Sequence, residues 1–243
     1  MKRLTVLLTS LFLLTALCVT SFRIGAQEAI PKHLMAARNL VEHLDLSKTN
    51  YEHGQGNIVW TGTVESHTDC SGFIDHLLMH VYGYDKDAFK RWFDSRRPTA
   101  ARYHDAIIEQ KGFTQLQSVK DLRPGDFVAI KYLTRTDNTG HIMLVAEPPE
   151  HIAAKKPIID DTEQWAVTVI DSSMSGHGTT DTRHKKGADG KDHDGLGQGV
   201  FRLYANKQGK VAGFAWSVLS ASEFKAPEDE HVVLGRLVPN YRP

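Results

Sequence analysis

The chain has 243 residues, of which 41% are hydrophobic and 24% charged, and its 29 basic and 29 acidic side chains balance to a formal net charge of zero. These proportions are ordinary for a globular protein and exclude the disordered, collagen-like and coiled-coil classes. The balanced charge gives no reason to expect a nucleic acid or an acidic membrane surface as a partner. Two cysteines are too few for a disulfide-rich scaffold.

The first 26 residues predict a cleavable signal peptide. Lys2 and Arg3 precede an apolar run, Leu4–Val19, and small and polar residues follow up to Ala26. The apolar run is shorter than the about 20 residues that a membrane-spanning helix needs, so an uncleaved anchor is the weaker alternative. We therefore expect a secreted or periplasmic protein with no stable membrane insertion after cleavage.

Loss of residues 1–26 changes both the charge and the cysteine count. The mature chain has 26 basic and 29 acidic side chains, a net charge of −3, and Cys70 becomes its single cysteine because Cys18 lies in the removed segment. A single cysteine cannot form an internal disulfide, and a free thiol in an oxidising compartment is prone to oxidation. Cys70 is therefore either a buried apolar side chain or a reactive thiolate.

Residues 27–243 predict helices first and strands later, which favours a single α+β domain with helices packed on an antiparallel sheet. Helical spacing of apolar residues predicts helices at 34–44, 70–82 and 86–110, the last one divided at Pro98, where a second helix begins. Residues 47–68 predict a loop with one short strand at Ile58–Trp60. Strand-like runs bounded by turn residues follow at Phe127–Tyr132, His141–Ala146, Ala166–Ile170, Val200–Tyr204, Gly213–Val218 and Val232–Leu237.

One polar stretch, at about residues 172–199, predicts a long irregular insertion. It carries His177, His184 and His193 together with Asp181, Asp189, Asp192 and Asp194. The aspartates lack a third oxygen ligand at calcium-loop spacing, and no two of these histidines have the spacing of a zinc site. We therefore expect a solvated, flexible loop, with no metal and no other cofactor.

A cysteine, a histidine and a carboxylate stand in an order that suggests a catalytic triad. Cys70 lies in the first turn of a predicted helix, where free backbone N–H groups and the helix dipole favour a thiolate. His141 opens a buried strand, and Asp171 closes the next one, so antiparallel pairing can set the imidazole beside the carboxylate. The alternative is a buried cysteine and a core histidine bonded to a backbone carbonyl.

Four blocks in this order resemble the NlpC-type cell-wall cysteine peptidases, a family with a papain-like fold. They are Asp69-Cys70-Ser71-Gly72-Phe73, then DLRPGDFV at 121–128, GHIMLV at 140–145 and VIDSS at 169–173. The resemblance implies that the Cys70 thiolate attacks an amide carbonyl, that His141 carries the proton and that Asp171 orients the imidazole. It also implies an oxyanion contact from the Cys70 backbone N–H, a thioester acyl-enzyme, and a peptide or isopeptide bond of peptidoglycan stem peptides as the substrate.

The resemblance further suggests substrate-binding residues. In the family the residue before the cysteine, here Asp69, can hold a free peptide amine, and a tyrosine upstream helps to bind the substrate. Trp60 fits the upstream motif, but Ile58 stands where the tyrosine is expected, and Tyr51 is a candidate to replace it. The predicted substrate-binding set is therefore Asp69, Ser71, Trp60 and Tyr51.

The departure at Ile58 keeps two other functions open. One is an amidase or acyltransferase that acts on an amide or ester outside the cell wall, and the other is a catalytically silent binding module of the same fold. Arg97, in a stretch similar to an Arg-Thr-Ser motif of the family, is interpreted as a solvated charge at a helix end.

Overall fold

The computed structural model describes residues 29–54, 56–135, 137–184 and 193–243, so the predicted signal segment lies outside the described residues. Within these ranges the α-helices are α1 (Lys32–His43), α2 (Cys70–Tyr82), α3 (Lys86–Phe93) and α4 (Ala100–Ile108). The strands are β1 (Thr49–Asn50), β2 (Asn57–Val59), β3 (Glu65–His67), β4 (Phe113–Leu116), β5 (Phe127–Tyr132), β6 (Gly140–Val145), β7 (Glu150–Ile152), β8 (Thr162–Ser173), β9 (Gly195–Asn206), β10 (Val211–Ala215), β11 (Phe224–Lys225) and β12 (Glu230–Leu237). No helix in this part of the chain is long and apolar enough to cross a membrane.

A large antiparallel sheet organises the described part of the chain. Its strands follow the order β11-β10-β9-β8-β6-β5-β12-β4, and β7 pairs with β8 beside this path. The longest pairing joins β8 to β9 over the full length of both strands. A small second sheet has the order β1-β3-β2, with β1 and β3 parallel.

The sheet is buried on both faces, as β5 shows. Phe127 and Ala129 belong to the core that the helices cover, whereas Val128 and Ile130 belong to a second hydrophobic cluster that contains Phe201. Because successive side chains of a strand point to opposite faces, burial of both faces gives a continuous apolar run rather than an alternating one. The predicted α+β arrangement, with helices on an antiparallel sheet, is confirmed.

Several local expectations differ from the structure: the strands predicted at 166–170 and 200–204 are longer, and the strand predicted at 213–218 lies at 211–215. Thr99 is the N-cap of α4, so Pro98 precedes the cap instead of opening the helix. Residues 47–68 hold three short strands rather than one, because strands of two or three residues carry almost no periodic pattern. The predicted insertion at 172–199 is shorter than expected at both ends, since 172–173 belong to β8 and 195–199 belong to β9; the glycines of 195–199 argue against a strand in the sequence.

Candidate active site

The cysteine lies at the first position of α2, and Asp69 caps this helix. Asp69 Oδ1 accepts a hydrogen bond from the Gly72 backbone N–H at 2.7 Å and another from Ser71 Oγ at 3.2 Å. This cap satisfies an N–H group that the first turn leaves without a partner. Cys70 is a free cysteine, 5% exposed, at the positive end of the helix dipole.

His141 bonds to both of its predicted partners. Its Nε2 lies 2.6 Å from Asp171 Oδ2, and a second side-chain hydrogen bond joins the ring to Cys70. Since the carboxylate occupies Nε2, Nδ1 is the nitrogen available to the sulfur. The structure therefore brings together the three residues that the sequence named for catalysis.

Strand pairing and one side-chain bond set this geometry. β6 and β8 pair through Leu144–Ile170 and Val145–Val169; Asp171 follows the last paired residue of β8, and His141 lies three residues before Leu144 in β6. Ser172 Oγ donates to the backbone carbonyl of Thr68, two residues before the cysteine. The strand that carries the carboxylate is thereby tied to the segment that leads into α2.

The electrostatics favour a charged His141. Burial by itself lowers the pKa of the imidazole, but the Cys70 sulfur and the hydrogen bond to Asp171 outweigh burial and raise it to about 9. Burial likewise raises the pKa of Asp171, but positive His177 and Arg183 and the histidine hydrogen bonds hold it well below 3.8. The arrangement supports an imidazolium between the Cys70 sulfur and a carboxylate.

Two further side chains bond to Asp171, and both come from the irregular segment. His177 Nε2 lies 3.0 Å from Asp171 Oδ2, and Arg183 Nη2 lies 3.0 Å from Oδ1. Arg183 also forms a bidentate pair with Asp181, at 2.8 and 2.7 Å. The expectation of a solvated loop is wrong for these residues, because all of them are at least 98% buried.

Glycines of β9 make room for this inward fold, and they are the sequence signal that could have revealed it. Gly197 stands opposite Asp171 in the β8–β9 pairing, and a Cβ there would lie 2.7 Å from Arg183 Nε. A Cβ at Gly199 would lie 2.1 Å from Asp181 Oδ2. Alternate glycines bare one face of the strand, so side chains of another segment can approach it closely.

The position of Arg97 also differs from the expectation of a solvated charge at a helix end. Its Nη2 lies 2.5 Å from Asp69 Oδ2, and its side chain is 39% exposed, so it is an ion-pair partner of the N-cap rather than a solvated charge. His53 Nδ1 lies 3.3 Å from the same oxygen. With Gly72 and Ser71 on the other oxygen, the Asp69 carboxylate is already surrounded by donors. It is not a free receptor for a peptide amine.

Of the other predicted substrate-binding residues, Tyr51 and Ser71 lie close to Cys70 and Trp60 lies far from it. Burial first and the charge of Cys70 second raise the pKa of the Tyr51 hydroxyl, which indicates that this hydroxyl lies near the thiol. Ser71 uses its hydroxyl on the N-cap. Trp60 stacks on His80 at 4.1 Å, and since a helix rises 1.5 Å per residue, His80 is about 15 Å along α2 from the cysteine.

Two aromatic side chains outside the predicted set of site residues lie beside the site. The Trp216 ring meets His141 edge-on at 4.9 Å and lies 4.4 Å from the His177 ring. Burial, Glu230 and the charge of Cys70 raise the pKa of Tyr132 to about 12. Neither residue lies in a matched motif, and only the folding of the sheet brings them to the thiol.

The ligand atoms of His141, Asp171 and His177 lie within 4.8 Å of one another, which is close enough for a metal ion. However, both histidines already bond to the carboxylate, and the Arg183 guanidinium adds a buried positive charge beside it. A metal ion at this place would have to displace both histidine hydrogen bonds and would stand beside the guanidinium charge. The donor set therefore fits a hydrogen-bonded carboxylate better than a metal centre.

Comparison with known proteins identifies the family to which the chain belongs. The model of the NlpC/P60 family matches residues 54–180, which contain the cysteine, the histidine and the aspartate. An uncharacterized protein, R653, of Acanthamoeba polyphaga mimivirus is 36% identical over 223 residues, covering 85% of this chain and 96% of the viral protein. No solved structure matches the chain. The family match confirms the resemblance and the papain-like α+β class.

Proposed function

Because the chain belongs to the NlpC/P60 family of cysteine hydrolases, we propose that it cleaves amide bonds of peptidoglycan stem peptides with Cys70, His141 and Asp171. The observation that carries the proposal is the position of His141, which bonds to the carboxylate at 2.6 Å and to the sulfur. A histidine between a buried carboxylate and a cysteine at a helix N-terminus is the arrangement that thiol hydrolysis requires.

The reaction takes place in two steps. The Cys70 thiolate attacks the amide carbonyl, the backbone N–H of Cys70 stabilises the oxyanion, and the C–N bond breaks while His141 gives its proton to the leaving amine. The product of this step is a thioester. His141, now neutral, takes a proton from water, the resulting hydroxide attacks the thioester, and the acid and the thiolate are released.

Digested peptidoglycan tests the proposal directly. We expect the purified protein to release new peptide fragments, detected by mass, and Cys70→Ala and His141→Gln to release none. Cleavage by Cys70→Ala would remove the thiol from the mechanism. Tyr84→Phe, which changes a buried residue that bonds to the Tyr241 carbonyl, is a control for effects on folding.

A second candidate is an amidase or acyltransferase whose substrate lies outside the cell wall. The observation that favours it is the pairing of Asp69 with Arg97, because this carboxylate is not open to a free amine. Peptides with free and with acetylated N-termini separate the two candidates. Equal cleavage of both forms would favour this second function.

A binding module without catalysis is the remaining alternative, and thiol reactivity tests it. An activated Cys70 reacts with iodoacetamide at pH 6 much faster than an ordinary thiol, and His141→Ala loses this advantage. Equal and slow labelling of both forms would support the silent module.

Export also belongs to this proposal, on the pattern of residues 1–26. We expect the chain recovered from outside the cytoplasm to begin near residue 27, as measured by intact mass. A full-length chain in that fraction would contradict cleavage.

A further inference from the structure

Asp171 accepts more hydrogen bonds than a cysteine–histidine–aspartate triad needs. Besides His141, it binds His177 through Oδ2 and Arg183 through Oδ1. The side chains of Asp171, His177 and Arg183 are fully buried. Both additional donors come from the segment that follows β8, outside the four motif blocks.

The two ring nitrogens of His177 each face an oxygen that accepts. Nδ1 lies 2.7 Å from the Trp216 backbone carbonyl, and Nε2 lies 3.0 Å from the Asp171 carboxylate. An acceptor needs an N–H opposite it, so hydrogen bonds on both sides require a proton on both nitrogens. The geometry therefore defines a positively charged imidazolium.

Arg183 completes a balanced set of buried charges. It bridges the carboxylates of Asp171 and Asp181, and Asp181 Oδ2 also accepts from the His177 backbone N–H at 2.7 Å. Two cations thus face two anions, which is the condition under which buried charges are tolerated. The Asp171 carboxylate consequently interacts with three donors at once, so His177 and Arg183 weaken its attraction for the proton on His141.

We propose that His177 and Arg183 are positioning residues: they fix the Asp171 carboxylate against His141, share its charge and thereby set the pH range in which the Cys70–His141 pair is active. This inference rests on the proposed function. It deepens that function by naming what regulates the site.

The neighbouring charges decide the direction of the effect. His177 is surrounded by Asp171 and His141 from the sheet and by Asp181 and Arg183 from its own segment. The uncharged rings of Phe201 in β9 and of Trp216, directly after β10, also contact it. A cation within 4.8 Å opposes the proton on His141. Loss of this cation moves the active pH range upward, and loss of an anion moves it downward.

Two variants with opposite expected shifts test the proposal. The rates of iodoacetamide labelling and amide cleavage are measured from pH 4 to 10 in His177→Gln and in Asp181→Asn, each of which keeps a group able to hydrogen-bond. We expect the midpoints of the pH profile to rise by roughly half a unit or more in His177→Gln and to fall in Asp181→Asn. Lower rates with unchanged midpoints in both variants would overturn the proposal.

A matched control separates charge from packing. His33 is a buried histidine on α1 that bonds to Tyr82 and to the Gly125 carbonyl. We expect His33→Gln to lower stability without moving the midpoints. A shift as large as that of His177→Gln would show that the midpoints report packing, and would overturn the charge argument.

The wild-type protein gives an independent measurement if a variant does not fold. In a chain with ¹⁵N-labelled histidine, we expect both ring nitrogens of His177 to carry protons at the pH at which the protein cleaves its substrate, with the resonance assigned through contacts to the Trp216 and Phe201 rings. A neutral tautomer in an enzyme that cleaves its substrate would overturn this inference alone. Absence of cleavage by the wild-type protein would contradict the proposed function itself.

Discussion

At the scale of single residues, the proposed chemistry depends on the proton of His141. The ring is 7% exposed at its side chain and contacts a sulfur on one side and a carboxylate on the other. Both contacts favour the charged ring, which must later give its proton to the leaving amine. The interactions that raise its pKa therefore also determine when cleavage stops.

We expect kcat for amide cleavage to fall on the alkaline side with a midpoint near pH 9, because the pKa of His141 is raised to about 9. Asp171→Asn removes the negative partner, so kcat should drop by roughly 100-fold or more and the alkaline midpoint should move to lower pH. A pH–rate profile measures both effects. Asp87→Asn, at an exposed ion pair with Arg96, is the control. An unmoved midpoint in Asp171→Asn would contradict the assignment.

Arg97 and Arg96 form a matched pair of neighbouring arginines. Arg97→Ala leaves the nearly buried carboxylate of Asp69 without its closest cation, so we expect a loss of roughly 1–3 kcal/mol in the free energy of unfolding. Arg96→Ala breaks an exposed pair with Asp87 and should cost less than roughly 1 kcal/mol. Urea unfolding measures both. Equal costs would show that the Asp69–Arg97 pair contributes nothing to the helix cap.

Asp75 is a buried acid outside the proposed mechanism. Burial raises its pKa well above 3.8, so the protonated carboxyl favours the fold at low pH, and this contribution is lost as the pH rises toward the folded-state pKa. Asp75→Asn keeps an acceptor for the Tyr103 hydroxyl, which lies 2.6 Å from Oδ1. We expect this variant to be more stable than the wild type at pH 8 and to gain much less at pH 4, by urea unfolding. A gain independent of pH would contradict this assignment.

At the scale of elements, β9 and the segment before it act as one unit. The bare face of β9 receives Arg183 and Asp181, and the partner strand β8 holds Asp171 directly opposite Gly197. Close packing of this kind leaves no room for even one added methyl group. The bare face of β9 is thus what allows the Arg183 side chain to lie beside the Asp171 carboxylate.

Gly197→Ala tests this packing. We expect it to lower the free energy of unfolding by roughly 1–3 kcal/mol and to lower activity, since its Cβ would meet Arg183 at 2.7 Å. In an Arg183→Ala background the further cost of Gly197→Ala should shrink, because the colliding side chain is absent. A double-mutant cycle by urea unfolding gives the coupling. If the unfolding free-energy costs of Gly197→Ala and Arg183→Ala were additive, the added Cβ would not collide with Arg183.

At the scale of the whole molecule, buried charges make stability depend on pH from both sides. Charge and hydrogen-bond partners outweigh burial and hold the pKa values of Asp171 and Asp181 below 3.8, so their contribution is present above that pH and is lost as the pH falls through the folded-state values. The pKa of His141 is raised, so its contribution is complete below about 6.5 and is lost as the pH rises through about 9.

We therefore expect the free energy of unfolding contributed by these three groups to be greatest between about pH 4 and 6.5. Chemical unfolding at a series of pH values measures the curve. Asp181→Asn should flatten the acid side, and it should also move the alkaline side to lower pH, because loss of this anion lowers the pKa of His141. An acid side as steep as in the wild type would remove Asp181 from this account.

Local patterns determined much of the fold and named the three residues of the proposed triad. β5 has the predicted bounds, Phe127–Tyr132, because an apolar run between turn residues depends on the run alone. α2 begins at Cys70 as predicted, because its cap depends on Asp69, one residue away. Signals of this kind act over a few residues, and so they can be recognised in a single sequence.

Only the tertiary structure decided what surrounds those residues. Arg97 bonds to Asp69 across 28 positions of the sequence, and Trp216, directly after β10, contacts His141. The sequence of residues 174–184 is polar enough to predict a solvated loop, yet it folds inward, because a charge can be buried where opposite charges and a bare strand face receive it. Such pairing depends on which strands become neighbours, and no local periodicity encodes that.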